Sequence, residues 1–167
     1  MDQIKAVAAS VEEVSHAVRG FHLDVRLPGS AVRDVAQLLY EKEFYLVFVS
    51  AVHHASAIEV VYQYGHFETQ YRIQVRADAS SEGVIPSIAD IFHGANWHER
   101  ETKDFFGVTF DGHPNLQPLL LDASDAELKP LLKTLETVKP ATALQWQPAE
   151  SKKGNAPAKK VSKKDEN

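Results

Sequence analysis

Histidine and carboxylate side chains are concentrated in one stretch of the chain, between residues 93 and 113. Histidine nitrogens and carboxylate oxygens bind divalent metals, and paired carboxylates can act as general acid and general base. The zinc-protease pattern His-Glu-x-x-His starts at His98 but fails, because Thr102 occupies the position of the second histidine. A stand-alone metal-dependent hydrolase is therefore one open hypothesis, and it would use His98, Glu101 and His113. The candidate ligands in the stretch are His93, His98, Glu99, Glu101, Asp104 and His113.

Other means of catalysis are missing from the sequence. The chain has no cysteine, which excludes disulfides, thiolate zinc sites and cysteine-ligated iron–sulfur clusters on this chain. It also has no Gly-x-Ser-x-Gly elbow, no phosphate-binding loop and no Gly-x-Gly-x-x-Gly fingerprint. A binding or structural subunit is therefore better supported than an enzyme.

Length, composition and charge indicate one folded body with a basic extension. The chain has 167 residues, of which 44% are hydrophobic and 25% charged, enough for one core. It has no apolar run of about 20 residues and no signal-peptide pattern at its start. The net charge of −5 argues against nucleic acid as the main partner. A binding module whose lysine-rich tail contacts anionic lipid or nucleic acid stays a further option. We expect three parts: residues 1–121, a C-terminal extension at 122–150 and a disordered tail at 151–167.

The elements before this stretch predict an α+β two-layer sandwich. Its mainly antiparallel, four-stranded sheet carries helices on one face and is followed by an extended C-terminal tail. The nearly continuous apolar run at 44–52 is typical of a central strand that is covered on both faces. Apolar spacing predicts a first helix, which Gly20 ends, and a second helix, which Ser30 caps. The expected order is a helix at 2–19, a strand at 21–27, the second helix, and strands at 44–52, 58–64 and 71–76, with a short connection at 53–56 and a hairpin turn at Gly65 and His66.

Three further helices are expected after the sheet strands. Pro86 suits the first turn of a helix that runs to Phe92. Asn96 and Glu99 have the spacing of a capping box at the start of a second helix, which Gly107 ends. A weak third helix is expected at 126–138.

On a helical wheel of residues 96–106, aromatic and charged side chains share one side. One side combines Trp97 and Phe105 with Arg100, Glu101 and Asp104. We expect this side to face the sheet, where buried charges require partners. Those partners are either other residues of the same helix or groups outside the chain. The apolar residues at 116–121 lack a regular element of their own and therefore suit docking against a partner.

The motif Glu-Arg-Glu-x-x-Asp-Phe-Phe-Gly at residues 99–107 resembles a known family signature. Ala-Asn-Trp-His precedes the motif, and His113-Pro114-Asn115-Leu116 follows it. Together they closely resemble the 30 kDa subunit of respiratory complex I. The resemblance covers about residues 21–121 and implies a docking subunit without a cofactor. It implies a subunit interface at Trp97, Glu99, Arg100, Glu101, Asp104, Phe105, Phe106, Gly107, His113 and Pro114.

The same resemblance implies the partners and the location of the chain. The subunit would lie in the hydrophilic arm, on the cytoplasmic side of the cell membrane. It would pack on a protein related to the large subunit of nickel–iron hydrogenases, near an iron–sulfur small subunit, within a complex that also has membrane subunits. Iron–sulfur clusters and a nickel–iron centre, or flavin and quinone, would belong to these partners.

Two departures from the complex I pattern bear on the branch of the family. Gln117 replaces a common basic residue, and a second Glu-Gly-His-Pro segment is missing. These departures favour the related subunit of Ech-type or CO-induced energy-converting hydrogenases. Such complexes pass electrons from a low-potential donor to protons and couple this transfer to ion translocation. The 30 kDa subunit of NADH–quinone oxidoreductase (respiratory complex I) is the alternative.

Overall fold

A computed structural model describes residues 2–133, and its centre is a five-stranded sheet. The strands lie in the order β1-β2-β5-β4-β3, and a separate parallel pair joins β6 to β7. The pair β2–β5 is parallel, whereas the other neighbours in the five-stranded sheet are antiparallel. The elements are α1 (Asp2–Val7), β1 (Ser10–Glu13), α2 (His16–Arg19), β2 (Leu23–Leu27), α3 (Val32–Glu41), β3 (Tyr45–His54), β4 (Ala57–Gly65), β5 (Arg72–Asp78), β6 (Val84–Pro86), α4 (Ala95–Phe106) and β7 (Thr109–Asp111).

The core lies between one face of the sheet and the helices. Alternate residues of β2, β4 and β5 point into it, and Val35 and Leu39 of α3 pack against them. Fully buried Tyr62 and Tyr64 of β4 are its largest side chains. The expected α+β class, with a sheet and helices in two layers, is confirmed.

The prediction of one continuous helix at 2–19 is wrong for residues 8–15. The chain forms α1, then the edge strand β1, then the single-turn helix α2. Val11 pairs with Val25, and this pairing covers what would otherwise be an open edge of β2. Hydrogen bonding to that edge therefore outweighs the helical spacing of the valines, and the sheet has five strands instead of four.

The topology of the sheet corrects one expectation and confirms another. The strand expected at 44–52 is β3, and it lies at the sheet edge instead of the centre. Its apolar residues are explained by α4, which packs against it. The β4–β5 hairpin is confirmed, with a turn that extends beyond His66 to Gln70.

The helix expected from Pro86 is also wrong. The backbone N–H of Ser87 donates to the Asp111 carbonyl at 2.8 Å, and the N–H of Ile88 donates to the Glu99 carboxylate at 2.8 Å. These partners from distant segments hold the chain in turns up to Gly94. A 3₁₀ turn lies at Ala123–Asp125, and after it turns replace the expected weak helix as far as Lys133. The rest of that helix, at 134–138, and the tail at 151–167 lie outside the described residues.

Candidate functional site

Helix α4 carries most of the motif, and Gly107 ends the helix. Gly107 adopts a left-handed conformation (φ 74°), and its N–H donates to the Lys103 carbonyl at 2.8 Å. This is the usual helix-ending geometry that glycine favours, so the predicted stop is confirmed. The predicted capping box is wrong, because the N-cap is Gly94, two residues before Asn96, and it makes no side-chain cap.

The carboxyl group of Glu99 lies in the protein interior instead of capping the helix. Its side chain has no solvent exposure. The Ser87 hydroxyl donates to Oε2 at 2.6 Å, and the Ile88 N–H donates to Oε1 at 2.8 Å. Burial raises the pKa of Glu99 to about 7, although both hydrogen bonds act in the opposite direction. Glu99 therefore fastens α4 to the segment that follows β6.

A second contact fastens the same segment to α3. The Arg33 guanidinium donates to both carboxylate oxygens of Asp90, at 2.8 and 2.7 Å, and to the Ser87 carbonyl at 2.6 Å. The hydrogen bond from Arg33 lowers the pKa of Asp90, and burial opposes this effect. Residues 87–90 are thus held from both helices.

His113 is occupied by backbone groups. The Asn115 N–H donates to Nδ1 at 3.0 Å, so this nitrogen is an acceptor. The other nitrogen, Nε2, lies 3.2 Å from the Asn96 carbonyl and 3.9 Å from Glu99 Oε2. The ring is therefore neutral with its proton on Nε2, and burial lowers its pKa. Both nitrogens are engaged, and His113 has no free lone pair for a metal.

Three charged residues of α4 hold residues 116–121, which we call the clamped segment. Arg100 donates from Nε to the Gln117 carbonyl at 2.9 Å and from a terminal nitrogen to the Pro118 carbonyl at 2.8 Å. Lys103 Nζ donates to the Leu116 carbonyl at 2.6 Å. These bonds satisfy carbonyls that lack partners in a helix or strand.

Asp104 completes the clamp from the acceptor side. Its Oδ2 atom accepts from the N–H groups of Leu119 and Leu120 at 2.8 Å each and of Leu121 at 3.3 Å. Burial raises the pKa of Asp104, but the three backbone donors and Lys129 outweigh it, so the net pKa is lowered. The carboxylate is charged at neutral pH and fixes the backbone of three consecutive leucines.

The predicted orientation of α4 is wrong for Trp97 and Glu101, which are exposed, and right for Asp104, which is buried. The buried residues of the helix are Ala95, Glu99, Thr102 and Asp104, and the side with Trp97 and Glu101 faces outward. The buried Thr102 hydroxyl donates to the His98 carbonyl of the same helix, so this polar group has a hydrogen-bond partner. The inner face tolerates a carboxyl group because Ser87 and Ile88 supply donors.

The remaining motif residues lie at the boundary between the core and solvent. Phe105 and Phe106 are half-buried, Pro114 is exposed, and the Phe105 carbonyl accepts from the N–H of Leu131. Glu99, Arg100 and Asp104 thus have partners in this chain, and the contact of the ten motif residues with another subunit stays a prediction. Lys103 and Ser87 were missed as site residues. The one sequence feature that points to Lys103 is its position next to Asp104 in the motif.

Large apolar side chains are exposed beside the clamp. Trp97 is 67% exposed and Leu120 is 59% exposed. Leu131, on the segment bonded to Phe105, is half-exposed. We use the name apolar surface for the exposed large apolar side chains of α4 and of the segments after it, and its members are Trp97, Leu120, Leu128, Leu131 and Leu132.

The geometry does not support the alternative hypothesis of a metal site at His98, Glu101 and His113. His113 uses both nitrogens internally, and Glu101 is exposed on the outer side of α4. Among residues 2–133, the group of three ligand-type side chains close enough to share an ion is instead His54, Glu59 and Asp78. The closeness in sequence of His98, Glu101 and His113, on which the hydrolase hypothesis rested, therefore does not correspond to a shared metal site.

Helix length and polarity decide whether this part of the chain could insert into a membrane. Between Asp2 and Lys133, every helix is too short or too polar to cross a bilayer.

Curated proteins similar to this chain are subunits of respiratory NADH dehydrogenases. Iron-sulfur protein 3 of the mitochondrial NADH dehydrogenase [ubiquinone] from Candida albicans is 47% identical over 64 residues, which are 38% of this chain and 23% of that protein. The C subunit of the NADH-quinone oxidoreductase from Mesorhizobium japonicum is 45% identical over 64 residues, 38% of this chain and 32% of that protein. The chain thus matches about a quarter to a third of these relatives' length.

Two solved structures share the fold, and the family model covers most of the chain. A chain of the membrane-bound sulfane sulfur reductase, an archaeal respiratory membrane complex, superimposes with a TM-score of 0.64 and 28% identity, covering 77% of this chain and 79% of that one. A trypsin-resistant fragment of Nqo5 gives a TM-score of 0.57 at 23% identity, covering 68% and 92%. The family model for the respiratory-chain NADH dehydrogenase 30 Kd subunit matches residues 25–141. The chain therefore belongs to the complex I 30 kDa subunit family.

Proposed function

We propose that this chain is a docking subunit, without a redox centre of its own, in the peripheral arm of a complex I-related, membrane-bound oxidoreductase. The observation that carries this proposal is the clamp on residues 116–121. Arg100, Lys103 and Asp104 are occupied by the backbone of this segment, which leaves Leu120 exposed in a fixed position. The charges of the motif thus hold a surface in place.

An apolar surface held in this way is suited to binding another protein. Exposed groups of large apolar side chains commonly mark sites of protein–protein contact. Because the clamp already orders the backbone, less conformational entropy is lost when a partner binds. Trp97 is of the side-chain type most enriched among residues that dominate binding energy. We therefore place the partner on the apolar surface and on the outer side of α4.

The expected partners carry the chemistry. They are a protein related to the hydrogenase large subunit, an iron–sulfur small subunit and the membrane subunits of the same complex. Iron–sulfur clusters with a nickel–iron centre, or flavin and quinone, would lie on them. The subunit would be peripheral, on the cytoplasmic side of the cell membrane. Nucleic acid is not an expected partner.

The branch of the family is open to direct test. The names of the curated relatives support NADH–quinone oxidoreductase, whereas the energy-converting hydrogenase remains a prediction. Proteins that co-purify with the tagged chain from its own host distinguish the two. A nickel–iron large subunit with intact cysteine ligands supports the hydrogenase, and a nucleotide- and flavin-binding module supports NADH oxidation.

Replacing Leu120 with lysine is expected to release the chain from its partners. A charge placed within an apolar contact of this kind costs at least about 2 kcal/mol, which is roughly a 30-fold loss of affinity. The backbone N–H that binds Asp104 is retained, and a lysine adds no negative charge beside that carboxylate. The measurement is the amount of partner protein recovered with the tagged full-length chain.

Val18→Lys is the matched control. Val18 is also an exposed apolar residue (50%), but it lies on α2, beside the sheet edge opposite to β3. This variant is expected to recover partners at the wild-type level. Circular dichroism and thermal unfolding should match wild type for both variants. Wild-type recovery of partners by Leu120→Lys would contradict the proposed docking surface.

A further inference from the structure

A second polar cluster lies away from the clamp, where β3, β4 and β5 meet at one end of the sheet. His54 ends β3, Glu59 lies near the start of β4, and Asp78 ends β5. Glu59 pairs directly with Asp78 across the two strands. Its neighbour Val60 points into the core, so Glu59 points to the opposite face of the sheet.

The imidazole of His54 is buried with an unused nitrogen. The residue is only 3% exposed, and Nε2 has no hydrogen-bond partner. The other nitrogen, Nδ1, lies 3.2 Å from the Ser56 hydroxyl oxygen. Nε2 is 4.0 Å from Asp78 Oδ1, a distance too long for a hydrogen bond. When Nδ1–H donates to Ser56, the lone pair of Nε2 is directed towards the carboxylates.

Glu59 is also incompletely satisfied. It is buried, and its Oε1 atom has no aligned hydrogen bond although an Arg26 nitrogen lies 2.6 Å away. Arg76 comes only within 3.7 Å of Oε2 and is bound to Asp24 through two nitrogens. Arg26 is therefore the principal counter-charge of Glu59, and its side chain is 41% exposed.

We propose that His54 Nε2, Glu59 and Asp78 form a binding site for a divalent transition-metal cation such as Zn²⁺. One ligand atom from each residue lies within 4.8 Å of the others. Metal–nitrogen and metal–oxygen bonds of about 2.1 Å place tetrahedral ligands about 3.4 Å apart, so small side-chain rotations complete the site. Asp78, which is half-exposed, is free to make such a rotation.

The surroundings of the cluster suit a cation of this kind. One imidazole and two carboxylates form a donor set that zinc accepts, with water filling the remaining positions. The Ser56 hydroxyl on Nδ1 is the outer contact that orients a metal-binding histidine. The bound ion would take the place of Arg26 beside Glu59 and would link the β3–β4 turn to the end of β5.

Because the bound ion would displace Arg26 from Glu59, substitution of Arg26 is expected to change the zinc affinity. Titration of the full-length chain with ZnCl₂, followed by calorimetry and thermal unfolding, is expected to show one ion bound per chain at this site. Asp78→Asn and His54→Gln should each weaken that binding at least tenfold. Arg26→Gln should tighten it, because the competing positive charge is removed.

Controls separate this site from the other histidines. His93→Ala removes an exposed histidine outside the cluster and should leave the affinity unchanged. Asp78→Asn keeps the test valid if the buried His54 variant fails to fold, since Asp78 is half-exposed. Unchanged zinc affinity in Asp78→Asn, or no binding by either wild type or Arg26→Gln, would overturn the proposal.

Discussion

Replacing Glu99 with alanine is expected to lower the free energy of unfolding by about 3 kcal/mol at pH 5. The substitution leaves the buried N–H of Ile88 without an acceptor, and an unpaired buried polar group costs about 1–3 kcal/mol. It also opens a cavity between α4 and the segment after β6, which adds a packing loss. Denaturant unfolding of the full-length chain measures the change.

Glu99→Gln is the sharper variant because it keeps the size of the side chain. Its amide oxygen can accept from Ile88, and its NH₂ group can donate to the Ser87 hydroxyl oxygen. At pH 5, where the wild-type carboxyl group is protonated, the two proteins should have nearly equal stability. Any large difference at that pH would mean that the amide does not fit the site.

The pH dependence of Glu99→Gln follows from the raised pKa. The ordinary pKa of the carboxyl group is 4.5, and burial raises it to about 7. Between these values the folded chain holds a proton that the unfolded chain has lost. The contribution of Glu99 to stability is therefore fully present below about pH 4.5 and is lost as the pH rises through 7.

This loss is expected to reach about 3 kcal/mol, since one pKa unit corresponds to about 1.4 kcal/mol. Glu99→Gln does not titrate, so it should become more stable than wild type as the pH rises from 5 to 8. Taking the difference between the two proteins cancels the titrating groups that do not contact Glu99. A difference that stays constant across this range would show that Glu99 ionises at its ordinary pKa.

The position of α4 in the sequence was predictable, but its orientation was not. Gly107 is a local signal, because only the residue itself and its own helix decide the left-handed turn. The inward direction of Glu99 depends on the Ser87 hydroxyl and the Ile88 N–H, which belong to another segment. The local pattern of that segment favours a helix and does not report that the Ile88 N–H binds a carboxylate of α4.

In the sheet, too, the features set by neighbouring residues were predictable, and those set by distant segments were not. The β3–β4 and β4–β5 hairpins follow from short turns and alternating side chains, and both were predicted. The parallel pairing of β2 with β5 joins segments separated by α3 and two strands, and no local pattern reports it. Strand β1 pairs with the edge of β2, so the helical spacing of Val11 with the valines on either side was misleading.

Replacing Asp104 with alanine is expected to free the clamped segment and to weaken docking. The carboxylate accepts three backbone N–H groups, and hydrogen bonds to a charged group contribute about 1.5–3 kcal/mol. We expect the free energy of unfolding to fall by about 3 kcal/mol at pH 7. The lowered pKa of Asp104 means that its contribution is present above the ordinary pKa and is lost as the pH falls, so pH 7 shows it in full.

Hydrogen exchange distinguishes loss of the clamp from general destabilisation. In Asp104→Ala, the amides of Leu119 and Leu120 should lose protection to a greater degree than those of core strand β4. Asp104→Asn should have an intermediate effect, since a neutral carbonyl oxygen still accepts but without the charge. Recovery of partner proteins should fall in the same order, because the exposed side chain of Leu120 depends on the clamped backbone for its position.

Glu101→Ala is the matched control for this helix. Glu101 is an acidic residue one turn before Asp104, but it is exposed on the outer side of α4. Its replacement should leave stability and the exchange of the clamped segment within about 0.5 kcal/mol of wild type. If Asp104→Ala exchanged at residues 119–121 like wild type, Asp104 would not hold the segment. If the Asp104→Ala variant lost protection at residues 119–121 but still recovered its partner proteins, docking would be independent of the clamped segment. The motif would then contribute only to the stability of this chain.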